Sequence, residues 1–184
     1  MMQLADFEFV QLTQDTPLLP FVSEDKDLNS FLEEDAKNYS RDLMAVTYLF
    51  VDKQKRQIMA YFSLLNDKVA YDPREKSFWN RINRLIPNQK RRRSYPSAKI
   101  GRLAVAKEYA GEGLGSQIID YIKYFMVMNP KLGCRFLTVD AYAKAVDFYR
   151  KNEFDFFTLA DTFDSTRLMY FDLKPFKDHL GIEE

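Results

Sequence analysis

Glycine recurs at alternate positions in the stretch Ala110-Gly111-Glu112-Gly113-Leu114-Gly115, which is followed by Ser116. Glycines in such a turn let successive backbone N–H groups face one anion, and a helix beginning there adds about half a positive charge, so a pyrophosphate can be held without basic side chains. The spacing is not that of a dinucleotide-binding turn, and no Gly-Lys-Ser/Thr follows as in a P-loop. Other chemistry is limited by what the chain lacks. His179 is the only histidine, close to the C-terminus and far in sequence from the glycine-rich stretch, which argues against Ser-His-Asp and Cys-His designs. Cys134 is the only cysteine, too few for a disulfide or a thiolate zinc cluster, and burial in an apolar strand would raise its pKa and blunt it as a nucleophile. With 27 basic and 27 acidic residues there is no global field toward nucleic acid. The local run Lys90-Arg91-Arg92-Arg93, extended by Arg81, Arg84, Lys99 and Arg102, reads either as a solvated loop or as a contact with phosphates.

The elements around the glycine turn follow from apolar spacing. Before it lies the strand SAKIGRLAVA, in which Ala98 and Ile100 occupy even positions but Leu103 and Val105 odd ones. The change of parity predicts either a β-bulge at Gly101 or a strand buried on both faces. After the turn, Leu114, Ile118, Ile119, Ile122, Phe125 and Met126 form a helical stripe, stopped by Asn129-Pro130. Upstream, Phe7 and Phe9, with Leu4 and Leu12 flanking them, predict a first strand. Leu28, Phe31, Leu32, Ala36 and Tyr39 predict a helix capped by Asp25 or Asp27. AVTYLFVD and QIMAYFSLL predict a hairpin across the charged stretch DKQKR, and Phe78, Trp79, Ile82, Leu85 and Ile86 predict a helix ended by Pro87, with Trp79 in the core. Downstream, CRFLTVD, AYAKAVDFYRKN, FDFFTL and RLMYFDL read as strand, helix, strand, strand. The order predicts a mixed α/β sheet with a right-handed parallel crossover. At 184 residues one domain over residues 1–184 is expected. MMQLADFEFVQL lacks the features of a secretory signal and no apolar run could span a bilayer, so no membrane partner and a cytoplasmic setting are expected.

GRLAVAKEYAGEGLGSQIIDY followed by CRFLTVDAYAKAVDFYRKNEF resembles the acetyl-CoA-binding core of the GNAT N-acetyltransferases, over roughly residues 97–157. The front half, DLNSFLEEDAKNY with AVTYLFVD and QIMAYFSLL, is similar to the branch that includes toxins acetylating aminoacyl-tRNA. The resemblance implies an α/β, single-domain GNAT-like fold, a mixed central sheet flanked by helices, with the acyl-CoA site at a splayed pair of central strands. It implies that Leu103, Ala104 and Val105 present backbone groups to the acyl-pantetheine arm, and that Ala110, Gly111, Glu112, Gly113, Leu114, Gly115 and Ser116 take the pyrophosphate. Within the kept pattern Ala145, Phe148, Tyr149, it implies that Tyr149 protonates the departing thiolate; the plainer reading is a core aromatic. Three positions depart from the family: Ala110 replaces Gln or Arg, Glu153 replaces glycine, and Tyr142 stands where many members have asparagine. Glu108, Glu112 and Asp140 are candidate bases by position. The function implied is direct acetyl transfer from acetyl-CoA to a primary amine, with no metal. The toxin-type acceptor, the α-amine of an aminoacyl-tRNA bound through Lys90, Arg91, Arg92 and Arg93, is one alternative, and a non-catalytic acyl-CoA sensor is another. A homodimer is a further expected partnership.

Overall fold

Pairing begins with the two β-branched and aromatic runs. In the computed structural model, which describes residues 2–86, 92–128 and 133–182, β2 (Val46–Asp52) pairs antiparallel with β3 (Gln57–Ala70), and β1 (Glu8–Gln11) pairs antiparallel with β2. Asp52 closes the hairpin turn, its Oδ1 accepting the N–H groups of Gln54 and Lys55 at 2.9 Å each. The remaining strands are β4 (Ser94–Val105), β5 (Phe136–Tyr142), β6 (Asp155–Phe156) and β7 (Thr166–Asp172), and the mixed seven-stranded sheet runs β1-β2-β3-β4-β5-β7-β6. Ser97–Lys99 of β4 pair in parallel with Phe136–Thr138 of β5, and β5 and β6 each pair antiparallel with β7. The helices are α1 (Lys26–Ser30), α2 (Ala36–Arg41), α3 (Lys76–Leu85), α4 (Leu114–Met128), α5 (Val146–Lys151) and α6 (Leu173–His179). Among the described residues, no helix is long and apolar enough to cross a membrane. The expected stops at Pro87 and Asn129-Pro130 lie outside the described residues.

By contact density the chain forms two compact units, Met1–Asn66 with Ile100–Ile122, and Asp67–Lys99 with Lys123–Glu184. In the first, Asp25 caps α1 through the N–H of Asp27, and a π-helical turn, Phe31–Asp35, joins α1 to α2 where the apolar spacing predicts an unbroken helix. The wide turn buries Phe31 and Leu32 side by side while Glu33, Glu34 and Asp35 stay exposed. Phe31 stacks on Tyr61, and Tyr61 donates to the carbonyl of Leu28 at 2.7 Å, tying the bulged helix to β3. The β2–β3 register shifts between Phe50 and Val51, leaving Met59 as the extra residue of a bulge. In the second unit α3 seats Phe78, Trp79 and Ile82 on Tyr95, Phe136 and Tyr170. Trp79 stacks on Tyr95 with ring centroids 5.4 Å apart, as expected of a core residue.

Three local expectations change. On β4 the buried residues are Tyr95 and Ser97, then Ala98, Ile100 and Ala104, so parity changes at Ser97/Ala98 rather than at Gly101. Gly101 answers to space instead: a Cβ there would stand 2.3 Å from Cδ1 of Leu65. FDFFTL forms a strand only at Asp155–Phe156. Helix α6 has no counterpart in the sequence reading; its Pro175 falls in the first turn, where a missing N–H costs nothing, and Asp172 caps the helix by accepting from Lys174 N at 3.0 Å.

Thr47 and Ser63, directly paired across β2 and β3, are 0% and 1% exposed, with their hydroxyls 2.8 Å apart. Thr47→Val strands the Ser63 hydroxyl and is expected to cost about 1–3 kcal/mol in denaturant unfolding. The double variant Thr47→Val/Ser63→Ala should cost less than the sum of the single changes, and strict additivity would show that the two hydroxyls do not depend on each other.

Candidate active site

In the first unit the end of β4, a turn and the start of α4 form one continuous segment. Ala104 is buried, with Leu103 and Val105 half-buried on either side. The Ala106 N–H donates to the Met59 carbonyl at 2.7 Å and the Lys107 N–H to the Val22 carbonyl at 2.8 Å, so the chain leaves the sheet anchored at successive residues. A 3₁₀ turn, Lys107–Tyr109, precedes the glycines. Gly111 and Gly113 have φ of +83° and +78°, a left-handed conformation costing a side-chain-bearing residue about 1–2 kcal/mol, while an added Cβ would meet nothing within 4 Å at either. Backbone angle, not crowding, demands glycine at both positions. Leu114, 1% exposed, pins the first turn of the fifteen-residue α4, whose leading N–H groups have no acceptors within the helix. Ala110 and Glu112 are exposed, and Gly115 and Ser116 are half-buried in that first turn. An open loop with paired left-handed glycines, feeding a helix N-terminus, fits a pyrophosphate.

Tyr149 belongs to the second unit. It sits on α5, 6% exposed, with its ring edge-on to Phe148 at 5.1 Å and to Phe154 at 5.4 Å. Burial pushes its phenol above the ordinary tyrosine pKa, which keeps the proton in place. The chain turns sharply just after it: Glu153 adopts φ +67° and the Phe154 N–H returns to the Tyr149 carbonyl at 3.0 Å. This geometry explains why glycine is usual at that position. Glutamate bears the left-handed backbone here while its carboxylate meets the Lys123 ammonium at 2.9 Å. Lys123, 1% exposed, also lies over the Phe171 ring at 4.2 Å. Sequence reading passed over this lysine, although its i+4 relation to Ile119 places it on the buried face of α4.

The charged candidates separate on inspection. Lys99 and Arg102 are not part of a free basic patch. Lys99 contacts Asp140 at 2.9 Å and Asp67 at 3.6 Å, and Thr138 donates to Asp67 at 2.9 Å. Burial pulls the Lys99 pKa down, but the hydrogen bond and charge of Asp140, with Asp67, outweigh it and hold the group above its ordinary value. Arg102 lies over Phe31 at 5.0 Å, with Asp27 at 3.8 Å. Arg81, Arg84, Arg92 and Arg93 are exposed, while Lys90 and Arg91 lie outside the described residues. Of the candidate bases, Asp140 is paired with Lys99, Glu108 is held by Lys55 and Gln57, and Glu112 is exposed in the loop. Cys134 is half-buried in the segment before β5, not within a strand, and burial raises its pKa as expected. His179 is exposed at the end of α6.

Residues 81–155 match the family model described as an acetyltransferase (GNAT) domain. Among solved structures, a bacterial toxin superposes with a TM-score of 0.77 at 13% identity, over 97% of each chain. AtaT complexed with acetyl-methionyl-tRNAfMet gives a TM-score of 0.75 at 20% identity, over 95% of this chain and 99% of AtaT. A tyrosine-to-phenylalanine mutant of AtaT, bound to the C-terminus of the antitoxin AtaR and acetyl-CoA, gives 0.73 at 19% identity, over 96% and 99%. No curated protein sequence matches significantly. Residues 81–155 are thus similar to a GNAT acetyltransferase domain, and the likeness of fold extends across nearly all residues.

Acetyl-CoA at a hundredfold excess over its dissociation constant is expected to raise the melting temperature by roughly 5–10 °C. Gly113→Glu, which places a carboxylate and a strained backbone at the pyrophosphate turn, should abolish the rise. An undiminished shift in that variant would remove the glycine turn from the site.

Proposed function

We propose that the chain is a GNAT-type acetyltransferase that transfers the acetyl group of acetyl-CoA directly to a primary amine, and that this amine is the α-amine of an aminoacyl-tRNA. The observation that carries the first part is the left-handed pair Gly111 and Gly113 at the N-terminus of α4, inside the matched domain. The acceptor reading is supported by the fold likeness to AtaT bound to acetyl-methionyl-tRNAfMet and by the exposed arginines Arg84, Arg92 and Arg93; Arg81 is engaged with the Tyr170 hydroxyl at 2.9 Å.

Acetyl-CoA supplies the activated thioester. The chain's task is then to hold the pyrophosphate, orient the acyl arm, stabilise charge on the thioester oxygen and protonate the leaving sulfur. The pyrophosphate falls to the N–H groups of residues 111–116, since the N–H of Ala110 already donates to the Lys107 carbonyl at 3.2 Å, and the acyl arm and oxygen fall to the backbone of Leu103, Ala104 and Val105. The proton falls to Tyr149. A buried phenol with a raised pKa is a donor at every physiological pH; because the shift is upward, the proton is lost only above the ordinary value of about 10. An alkaline limb in turnover below that pH therefore belongs to another group. No covalent intermediate on the protein is needed, and Cys134 has no part in the reaction.

Tyr149→Phe removes one hydroxyl and keeps the ring between Phe148 and Phe154, so folding and acetyl-CoA affinity should hold while turnover falls about 10²- to 10⁴-fold. A raised Michaelis constant with unchanged turnover would make Tyr149 a pocket wall only. The acceptor is tested by offering labelled acetyl-CoA to charged tRNA, bulk protein and polyamines in parallel. Label should appear on charged tRNA; label confined to protein or polyamines would overturn the tRNA reading, and tight binding without transfer to any acceptor would favour a sensor. Arg91, Arg92 and Arg93 changed together to Ala should flatten the salt dependence of tRNA binding, each lost phosphate contact lowering the slope by about one.

A further inference from the structure

The hydrogen bonds just upstream of the glycine turn converge on one residue that the mechanism does not use. Tyr109, the last residue of the 3₁₀ turn, is 1% exposed. Its hydroxyl donates to Oδ2 of Asp52 at 2.8 Å and accepts from Nε2 of Gln57 at 2.9 Å. The same Gln57 nitrogen donates to Glu108 at 2.8 Å, and Lys55 bonds to Glu108 while lying over the Tyr109 ring at 4.9 Å. Asp52, Lys55 and Gln57 form the turn of the β2–β3 hairpin, where Asp52 uses its other oxygen to close the turn itself. The carboxylate is thus shared between two jobs, folding the hairpin turn with Oδ1 and holding the phenol with Oδ2. Tyr109 is followed immediately by Ala110 and the left-handed Gly111 and Gly113.

We infer that Tyr109 is a positioning residue for the pyrophosphate turn, fixing the direction of its N–H groups by locking residues 107–109 onto the β2–β3 hairpin through Asp52 and Gln57. The inference rests on the acetyl-CoA reading of the glycine turn. A turn whose glycines adopt either sign of φ at little cost has no rigidity of its own, so its orientation must come from its ends. At the far end Leu114 is buried and Gln117, three residues into α4, is held by the Leu4 N–H at 2.9 Å. At the near end the backbone bonds to other elements end at Lys107, the N–H groups of Tyr109 and Ala110 turning back onto Ala106 and Lys107, and the phenol of Tyr109 is the contact that ties this 3₁₀ turn to Asp52 of the β2–β3 hairpin. A hydrogen bond from a buried phenol to a charged carboxylate is among the stronger neutral-to-ionic kinds. The chain Gln57 to Tyr109 to Asp52 has each donor polarised by the next acceptor.

Because the turn serves only the pyrophosphate end of the co-substrate, the test compares acetyl-CoA with S-acetyl-pantetheine, a thioester without pyrophosphate or nucleotide. Tyr109→Phe keeps the buried ring and its edge-on contact with Phe7. It should weaken acetyl-CoA binding, read as dissociation constant and Michaelis constant, by roughly tenfold with turnover at saturation little changed. Affinity for S-acetyl-pantetheine should not move. Asp52→Ala, which removes the acceptor of the phenol and also the oxygen that closes the hairpin turn, should weaken acetyl-CoA binding at least as much as Tyr109→Phe, again without moving the affinity for S-acetyl-pantetheine. Equal weakening for both thioesters, or a fall in turnover with unchanged affinity, would make Tyr109 ordinary fold support and overturn the inference. So would unchanged affinity for acetyl-CoA. If the wild-type protein binds neither thioester, the acetyl-CoA reading itself fails, and the inference with it.

Discussion

A turn that is to hold an anion, as proposed for the glycine turn, must leave several backbone N–H groups unpaired and aimed at one point, and the first unit is compatible with that constraint. Every neighbouring backbone group then needs a partner elsewhere, since an unpaired buried one costs free energy comparable to a lost hydrogen bond. The bulge on β3 answers part of that demand. Extruding Met59 from the β2 register frees its carbonyl to receive the Ala106 N–H, and the loop ahead of α1 supplies the Val22 carbonyl for Lys107. The glycines are thus the soft centre of a segment whose flanks are satisfied at each step, and the rigidity that a binding site requires comes from the hairpin and from α4.

The second unit solves a different problem, that of burying titratable groups beside aromatic ones. Lys123 lies on the apolar side of α4 between Phe171 and the Glu153 carboxylate, and Tyr149 lies among Phe148 and Phe154. The two groups differ in what burial does to them. The lysine keeps a counter-charge within reach, whereas the phenol stays neutral because nothing nearby stabilises its anion.

The parts of the fold that were legible in sequence are those set by local period and turn chemistry. The hairpin, the helix after the glycine turn and the Trp79 stripe declare themselves by spacing, and the glycine turn by its position between a strand and that helix. Contacts distant in sequence stayed hidden. Tyr109 reaches Asp52 across 57 positions and Lys99 reaches Asp140 across 41, and no spacing rule links them. For that reason Lys99 and Arg102 read as members of a basic run when their charges are already engaged. Helix α6 is a local case, a seven-residue helix whose proline is tolerated because it falls in the first turn. The acceptor is hidden for a third reason: the amine's identity depends on surface side chains that leave no periodic trace.

Gly101 and Leu65 occupy what is in effect a single volume, divided so that one residue takes all of it and the other none. Two positions on separate strands are therefore coupled through one shared space. Across relatives of this chain, a larger residue at position 101 should travel with a smaller or differently branched one at position 65. Such covariation would mark the pairing of these strand segments from sequences alone.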